Sequence, residues 1–177
     1  MSEIDAFPRA VLAHHHPEVP LHGDFTTIQA GDYGAIDLLV GGTPCQSFSV
    51  AGLRGGMADE RGNLALEYLR LAERLRPRWL VWENVPGVLS SAGGRDFGAF
   101  VGGLAELGYG WAYRCLDAQH FGLAQRRLRV FVVAYLGDWR RAAAVLFEPA
   151  SLRGDPAPRR EAGERVAPTV ARGSPGG

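Results

Sequence analysis

Lysine is absent from this sequence of 177 residues, and all nineteen of its cationic side chains are arginines. Nineteen acidic residues balance them, so the net charge of zero indicates no general affinity for a polyanion. The two cysteines are too few for a disulfide framework. No apolar run approaches the roughly 20 residues of a membrane span, and no basic stretch precedes an apolar one near Met1, as a secretory signal requires. We therefore expect an intracellular, cytoplasmic protein with no membrane partner.

Metal-binding side chains are concentrated in one short cluster, His14 to His16. No cysteine or carboxylate partner accompanies it at metal-ligand spacing, so we predict no metal site. The cluster is typical of the exposed end of a helix that Pro17 stops.

Short apolar runs alternate with amphipathic segments along most of the chain. Helical spacing predicts helices at Glu3–His15, Arg61–Leu75 and Phe97–Leu107. Compact apolar runs predict strands at Ile36–Val40, Trp79–Trp82, Trp111–Leu116 and Val130–Leu136, the first two of them buried. The alternation predicts an α/β fold with a mainly parallel sheet between helices, and an antiparallel hairpin of the last two strands at one edge. We expect a domain over residues 1–148 and a disordered Pro/Gly/Arg-rich tail over residues 149–177.

Two residues with reactive side chains follow predicted strands. Cys45 lies in a loop of small residues after the strand that ends at Val40, and Glu83 directly follows Trp79–Trp82. Ligands of open α/β sheets bind where the carboxyl ends of strands meet. A cysteine there can act as a thiolate nucleophile, and a partly desolvated carboxylate can hold or give a proton. The alternatives are an inert buried cysteine, which is the prediction for Cys115, and a carboxylate that caps a turn.

Arginines cluster late in the sequence, in a stretch whose only acid is Asp138. Arg127 and Arg129 alternate as in a strand, so their side chains share a face. Together with Arg126, Arg140 and Arg141 they predict a local basic surface. Ordinary surface ion pairs are the alternative.

Six segments, in order, resemble the motifs of the cytosine-C5 DNA methyltransferases. The nucleophile loop of that family is similar to Gly41–Ser49, which reads Gly-Gly-Thr-Pro-Cys-Gln-Ser-Phe-Ser. The other five matches are Glu3-Ile4-Asp5, Gly23-Asp24-Phe25, Asp59 to Leu64, Glu83-Asn84-Val85 and Gln125 to Arg129. The resemblance implies the Rossmann-like fold of methyltransferases, which use S-adenosylmethionine as the cofactor.

The resemblance also implies a reaction on a cytosine flipped out of double-stranded DNA. The thiolate of Cys45 would attack C6, and Glu83 would interact with N3 and the exocyclic amine. Arg127 would hold O2, where negative charge develops, and Arg129 would complete the catalytic set. Gln46, Ser47, Asn84 and Gln125 would support the loop or its contacts with DNA.

The cofactor residues implied by the resemblance all lie within the first 64 residues of the sequence. Glu3 would bind the ribose hydroxyls, an acid's usual task in such folds. Ile4 and Phe25 would contact the adenine and Asp24 its amino group. Pro44 and Leu64 would line the same pocket. An acid that favours the start of a helix is the alternative for Glu3.

The sequence departs from the family at both ends. It lacks the first Gly-rich motif, the target-recognition region and the closing motifs. Ala167 to Val170 is at most the opening of the target-recognition region. We therefore expect no methyl transfer by the isolated chain. One alternative is a subunit or fragment of a split methyltransferase that needs a complementary partner, and another is a non-catalytic nucleic-acid-binding remnant that uses Arg126 to Arg141. A cysteine hydrolase would need His120 as its base, and no oxyanion-hole signature accompanies it.

Overall fold

The computed structural model describes residues 1–43 and 64–147. Its helices are α1 (Ala6–His15), α2 (Leu64–Leu75), α3 (Arg95–Glu106) and α4 (Trp139–Leu146). Its strands are β1 (Leu38–Gly42), β2 (Trp79–Asn84), β3 (Tyr109–Asp117) and β4 (Leu128–Leu136). The predicted nucleophile loop from Pro44 onward and the predicted tail at 149–177 lie outside the described residues. No helix of the described part is long and apolar enough to cross a membrane.

The described strands form one mixed sheet in the order β1-β2-β4-β3. β1 and β2 are parallel, with α2 in the connection between them. β4 pairs antiparallel with both β2 and β3. The predicted α/β fold and its antiparallel edge hairpin are thus confirmed. Among the described strands the parallel pairing is confined to β1 and β2, because β4 returns from a hairpin rather than from a helical crossover.

The main core lies between the sheet and helices α2 and α3. Trp82 of β2 is 1% exposed and stacks on Phe100 of α3, with ring centroids 4.1 Å apart. The hydroxyl of Tyr68, from α2, donates towards the carbonyls of Leu39 (3.1 Å) and Val81 (3.0 Å). Burial raises the pKa of Tyr68, so the ring stays neutral and a donor. These contacts hold α2 across the parallel strand pair.

Two burial predictions are wrong. β1 was expected to be a buried strand, but Leu38 is 50% and Val40 62% exposed, because β1 is an edge strand of the described sheet. Cys115 was expected to be buried and inert, yet it is exposed on β3, the strand at the other edge. An apolar run shows that a strand forms, but it does not show how many of its sides are covered.

The sequence patterns did not predict α4, which packs on β3 and β4. The carboxylate of Asp138 accepts the amide N–H of Arg140 at 3.0 Å and so caps the helix. Its buried residues Ala142 and Leu146 cover Val133 of β4. The helix starts so close to β3 that a Cβ atom at Gly110 would lie 2.2 Å from the backbone nitrogen of Trp139. Gly110 is therefore required for α4 to pack there.

We predict that Gly110→Ala destabilises the protein by roughly 2 kcal/mol or more, because the backbone of α4 must move to relieve the overlap. Urea unfolding followed by circular dichroism measures the change. Gly102→Ala is the matched control: a Cβ atom at Gly102 in α3 meets nothing within 4 Å, so a gain of about 0.5–1 kcal/mol is expected from helix propensity. Equal stabilities for the two variants would contradict the packing of α4 on Gly110.

Candidate functional site

The carboxyl ends of β1 and β2 are joined through Thr43. In the parallel register Gly42 lies opposite Glu83, and Thr43 follows immediately. The indole N–H of Trp82 donates to the Thr43 hydroxyl at 3.0 Å. The side-chain amide of Asn84 donates to the Thr43 carbonyl at 2.9 Å. Thr43 and Asn84 are both buried, so the residue two positions before Cys45 is fixed to the strand that carries Glu83.

Glu83 is held by the two predicted arginines. Its Oε1 lies 3.0 Å from Nε of Arg129 and 3.7 Å from a terminal nitrogen of Arg127. Arg129 lies in β4, which pairs with β2, and Arg127 lies in the loop just before β4. The structure therefore brings together three of the four predicted catalytic residues. The fourth, Cys45, lies outside the described residues.

The loop that carries Arg127 is anchored by Asp117, a residue that the sequence reasoning missed. One carboxylate oxygen of Asp117 accepts the amide N–H of Arg127 at 2.9 Å and that of Gln119 at 3.2 Å. The carbonyl of Arg127 in turn accepts the amide N–H of Ala118 at 3.2 Å. The hydrogen bond from the Arg127 amide is the largest cause that holds the pKa of Asp117 below its ordinary value. An aspartate directly before a loop is a common turn signal that could have identified it.

A cavity of about 340 Å³ adjoins the Glu83 cluster. Glu83, Arg127 and Arg129 supply its charged side. Its apolar walls are Leu116, Ala118, Phe121, Leu123 and Phe131. A small planar ring with polar edges fits such a site, because apolar groups cover its faces while charged groups meet its edge. The predicted base-binding residues therefore line one cavity.

Asn84 and Gln125, which were predicted to support the loop or its contacts with DNA, differ in their surroundings. Asn84 holds Thr43, and its side-chain oxygen also accepts the amide N–H of Val85 at 2.8 Å. Gln125 is exposed in the loop before β4. Gln46 and Ser47 lie outside the described residues.

The arginines of the predicted basic surface fall into two groups. Arg127 lies just before β4 and Arg129 near its start, whereas Arg140 and Arg141 follow the end of β4, after roughly 23 Å of strand. The latter two lie within 4.0 Å of Asp138.

The predicted cofactor residues near the N-terminus lie side by side. A parallel bridge joins Ser2 to His22, which places Glu3 and Ile4 beside Asp24 and Phe25. Oε1 of Glu3 accepts the amide N–H groups of Ile4 (2.8 Å) and Asp5 (2.9 Å). Asp24 accepts the amide N–H of Thr26, which is the first cause of a lowered pKa for Asp24. Both carboxylates therefore hold local backbone through accepted hydrogen bonds.

A second cavity, of about 620 Å³, separates this N-terminal segment from β1. Phe25 lines this cavity, and so do Gly42 and Thr43 at the carboxyl end of β1. An aromatic face in an apolar cavity suits an adenosyl group, whereas Glu3 and Asp24 are not among the lining residues. The residues present therefore fit the adenosyl part of S-adenosylmethionine. Ile4 is 70% exposed, Leu64 begins α2 partly buried, and Pro44 lies outside the described residues.

Within residues 1–43 and 64–147, no three metal-ligating side chains come together. The histidine rings of His14 and His15 contact each other edge to face.

Comparisons with known proteins identify the family and the fold of the chain. The model of the family described as C-5 cytosine-specific DNA methylase matches residues 1–160. The chain is 39% identical over 137 residues to the Bacillus subtilis type II methyltransferase M.BsuFI, covering 77% of the chain and 33% of that protein. It is 42% identical over 227 residues to a protein of Escherichia phage P1 named DNA N-6-adenine-methyltransferase, covering 98% of the chain and 30% of that protein. The chain spans about a third of the length of these relatives.

Solved structures share the fold. Spodoptera frugiperda DNMT2, solved as a mutant, superposes with a TM-score of 0.61 at 20% identity, covering 77% of the chain and 42% of that structure. Dnmt2 methyltransferase of S. pombe superposes with the same score at 23% identity and the same coverage. Both similarities concern the α/β methyltransferase architecture.

We predict that the Asp117 carboxyl titrates below 3.8, its ordinary value, because the folded loop donates hydrogen bonds to its ionised form. A depressed folded pKa stabilises the fold above the unfolded pKa, and this contribution is lost as the pH falls through the folded value. Carbon-13 NMR of the carboxyl gives the pKa, and the Arg127 amide shift should follow the same titration. In the control Asp117→Asn the Arg127 shift should lose that titration. A pKa at or above 3.8 would contradict the anchoring role.

Proposed function

The chain belongs to the C-5 cytosine-specific DNA methylase family, and we propose that it supplies the base-binding and nucleophilic part of an enzyme that methylates C5 of cytosine in DNA. Residues 1–148 would form this catalytic part. The observation that supports the proposal best is the Glu83 cluster, in which Arg127 and Arg129 meet one carboxylate next to the strand end that leads to Cys45. As a DNA-modifying protein it would work inside a bacterial or phage-infected cell, as part of a restriction-modification system.

Each side chain has a distinct task in this proposal. The Cys45 thiolate forms a bond to C6 of a flipped cytosine, which turns C5 into a nucleophile. Glu83 interacts with N3 and the exocyclic amine, and Arg127 stabilises the charge that develops at O2. C5 takes a methyl group and then gives its proton to water. The electron pair of that C–H bond re-forms the C5–C6 double bond as the bond between sulfur and C6 breaks, so that the thiolate returns. Arg129 keeps Glu83 oriented towards the cavity throughout.

S-adenosylmethionine, when bound, supplies the methyl group. Phe25, Glu3 and Asp24 would hold its adenosyl part at the carboxyl end of β1, with Ile4, Pro44 and Leu64 around it. Gln46, Ser47 and Gln125 would support the loop and its contacts with DNA.

The base in this proposal is cytosine, although one relative is named for adenine. An exocyclic amine such as N6 of adenine is itself a nucleophile and needs no cysteine. C5 of cytosine becomes nucleophilic only after a nucleophile adds to C6. The cysteine in the Pro44-Cys45-Gln46 segment, with an arginine pair at the adjoining strand, therefore favours cytosine.

A chimera tests the chemistry: residues 1–147 replace the aligned segment of M.BsuFI, whose remaining segments complete the enzyme. We expect 5-methylcytosine in DNA by bisulfite sequencing. Cys45→Ser should abolish methylation. Glu83→Gln should lower the rate of methylation roughly 10²–10⁴-fold, because a general acid–base contact is lost.

Cys115→Ser is the matched control, since it removes the other cysteine from an exposed position outside the cavity; its rate should stay at the parent level. A folded chimera that methylates as well with Cys45→Ser as without it would overturn the proposal.

A second proposal concerns the chain by itself. It acts as one fragment of a split methyltransferase and, without a complementary polypeptide, transfers no methyl group. The support is the open edge of β1, where the side chains of Leu38 and Val40 are exposed. A non-catalytic nucleic-acid-binding remnant is less well supported, because the arginines it would use lie in two groups separated by β4, and Arg129 and Arg140 are paired with acids.

We predict that the purified chain incorporates no label from methyl-labelled S-adenosylmethionine into duplex DNA, whereas the chimera does. The physical reason is that both cavities are open to solvent, so water is not excluded from the reacting groups. Incorporation by the chain that disappears on Cys45→Ser would contradict the split proposal and support the chemistry proposed for Cys45.

A further inference from the structure

The 3-10 helix Phe25–Thr27 and the residues on either side of it form the cofactor turn, residues 24–28, which carries Asp24 and Phe25. Two main-chain hydrogen bonds, of 3.1 and 3.2 Å, hold this turn internally. A single turn of helix does not keep its conformation alone, because one hydrogen bond per fixed residue does not repay the cost of nucleation. The position of the cofactor turn therefore depends on side chains from other elements.

Arg9 of α1 fixes the backbone that leads into the cofactor turn. Its Nη1 atom donates to the carbonyl of Glu3 at 2.7 Å and to the carbonyl of His22 at 2.8 Å. The amide N–H of Glu3 donates to the same His22 carbonyl, and a continued parallel ladder would next bring the amide of Asp24 to the Glu3 carbonyl. The Glu3 carbonyl accepts the Arg9 guanidinium group instead. The two segments can thus diverge while the spacing between them stays fixed.

Arg74 of α2 holds the other side of the cofactor turn. Its Nε atom donates to the carbonyl of Ile28 at 3.1 Å, and its Nη2 atom donates to the carbonyl of Thr26 at 3.3 Å. Carbonyls at the end of a helix have no partner inside it, and the planar fork of a guanidinium group suits two neighbouring acceptors. Arg74 therefore attaches the cofactor turn to the helix whose Tyr68 also contacts both parallel strands.

Both arginines act on backbone rather than on acidic side chains. Arg9 and Arg74 are partly buried, and within residues 1–43 and 64–147 the acids that form ion pairs contact other arginines. Hydrogen bonds from a charged donor are about twice as strong as those between neutral groups. Two fixed cations are therefore available to set the position of one short turn.

We propose that Arg9 and Arg74 are positioning residues of the cofactor site, which hold the cofactor turn between α1 and α2. The ring of Phe25 lines the 620 Å³ cavity, whereas neither arginine does, so both would act through the turn and not by contact with the ligand. Loss of either guanidinium group would let Phe25 move relative to the wall at the carboxyl end of β1. The inference rests on the proposed function for the identity of the ligand, S-adenosylmethionine.

A purely structural role for the two arginines is the alternative. It predicts a lower free energy of unfolding, with no local change in the protein that stays folded. A positioning role predicts local opening of the cofactor turn within the folded protein, together with weaker binding of the ligand.

Amide hydrogen exchange by NMR on the full chain tests the position of the turn without a ligand. Arg74→Met keeps an unbranched apolar side chain and removes the guanidinium group. The amides of Thr27 and Ile28, which donate inside the turn, should then exchange about tenfold faster or more, because the turn can open by itself. The amides of β2, β3 and β4 should keep their parent rates.

Two further variants complete the exchange experiment. Arg9→Met should speed exchange of the Glu3 and His22 amides, which donate in the bridge that Arg9 holds. Arg76→Met is the matched control: Arg76 also donates to a main-chain carbonyl, that of Leu107 at 2.8 Å, but not to the cofactor turn. Its loss should leave the exchange rates of residues 22–28 within about twofold of the parent.

Titration with S-adenosylhomocysteine, followed by the amide shift of Phe25 in the same samples, measures the consequence for binding. Arg9→Met and Arg74→Met should each weaken binding about tenfold, and Arg76→Met should not. Arg9→Lys should bind within about threefold of the parent, since one nitrogen of Arg9 donates both hydrogen bonds and an ammonium group can do the same. Arg74→Lys should recover less, because the two hydrogen bonds of Arg74 come from two nitrogens.

Two results would overturn the positioning role. One is parent-like exchange of residues 22–28 in both methionine variants, and the other is parent-like affinity in variants whose turn exchanges faster. Should a methionine variant fail to fold, the lysine variant at the same position is measured with the same two readouts. Failure of the proposed ligand looks different: the parent chain itself would show no shift with S-adenosylhomocysteine at millimolar concentration. That outcome rejects the cofactor role of both arginines, whatever the exchange rates show.

Discussion

The two hydrogen bonds that fix Thr43 are the constraint on which the rest of the site depends. Parallel strands leave their carboxyl ends as separate loops, and nothing in the ladder itself fixes the distance between those loops. Here the indole of Trp82 and the amide of Asn84 both donate to Thr43, inside the protein where an unpaired polar group costs roughly 1–3 kcal/mol. The loop after β1 is thereby tied to the strand that carries Glu83. Trp82 also stacks on Phe100 in the core, so core and site share a residue.

The second side of the site is ordered by backbone hydrogen bonds rather than by charge pairing. Arg127 and Arg129 approach one oxygen of Glu83, but partly exposed ion pairs are worth little by themselves. Pairing of β4 with β2 sets the position of Arg129, and Asp117 fixes the backbone of Arg127. Two guanidinium groups beside one carboxyl group are a favourable environment for a ring oxygen that gains negative charge.

The sequence patterns predicted most of the elements and the cluster at Glu83, for identifiable reasons. Alternating apolar residues and the order of short motifs are local signals, and they located β2, α2, α3 and the hairpin within a few residues. Burial of β1 and of Cys115 could not be predicted, because exposure of an edge depends on neighbours that the pattern does not encode. Helix α4 was missed although Asp138 and the alanines after Trp139 are helix signals. The separation of Arg129 from Arg140 required the direction of β4.

The parallel pairing of β1 with β2 has a consequence for the order of folding. The hairpin of β3 and β4 and the adjacent α3 form from neighbouring segments, whereas Asp37 must meet Trp79 across a long connection. Closing that connection costs chain entropy before any contact repays it. A protein synthesised from its N-terminus therefore carries β1 unpaired until β2 has emerged. During that interval the edge is accessible to any other chain that can form a strand.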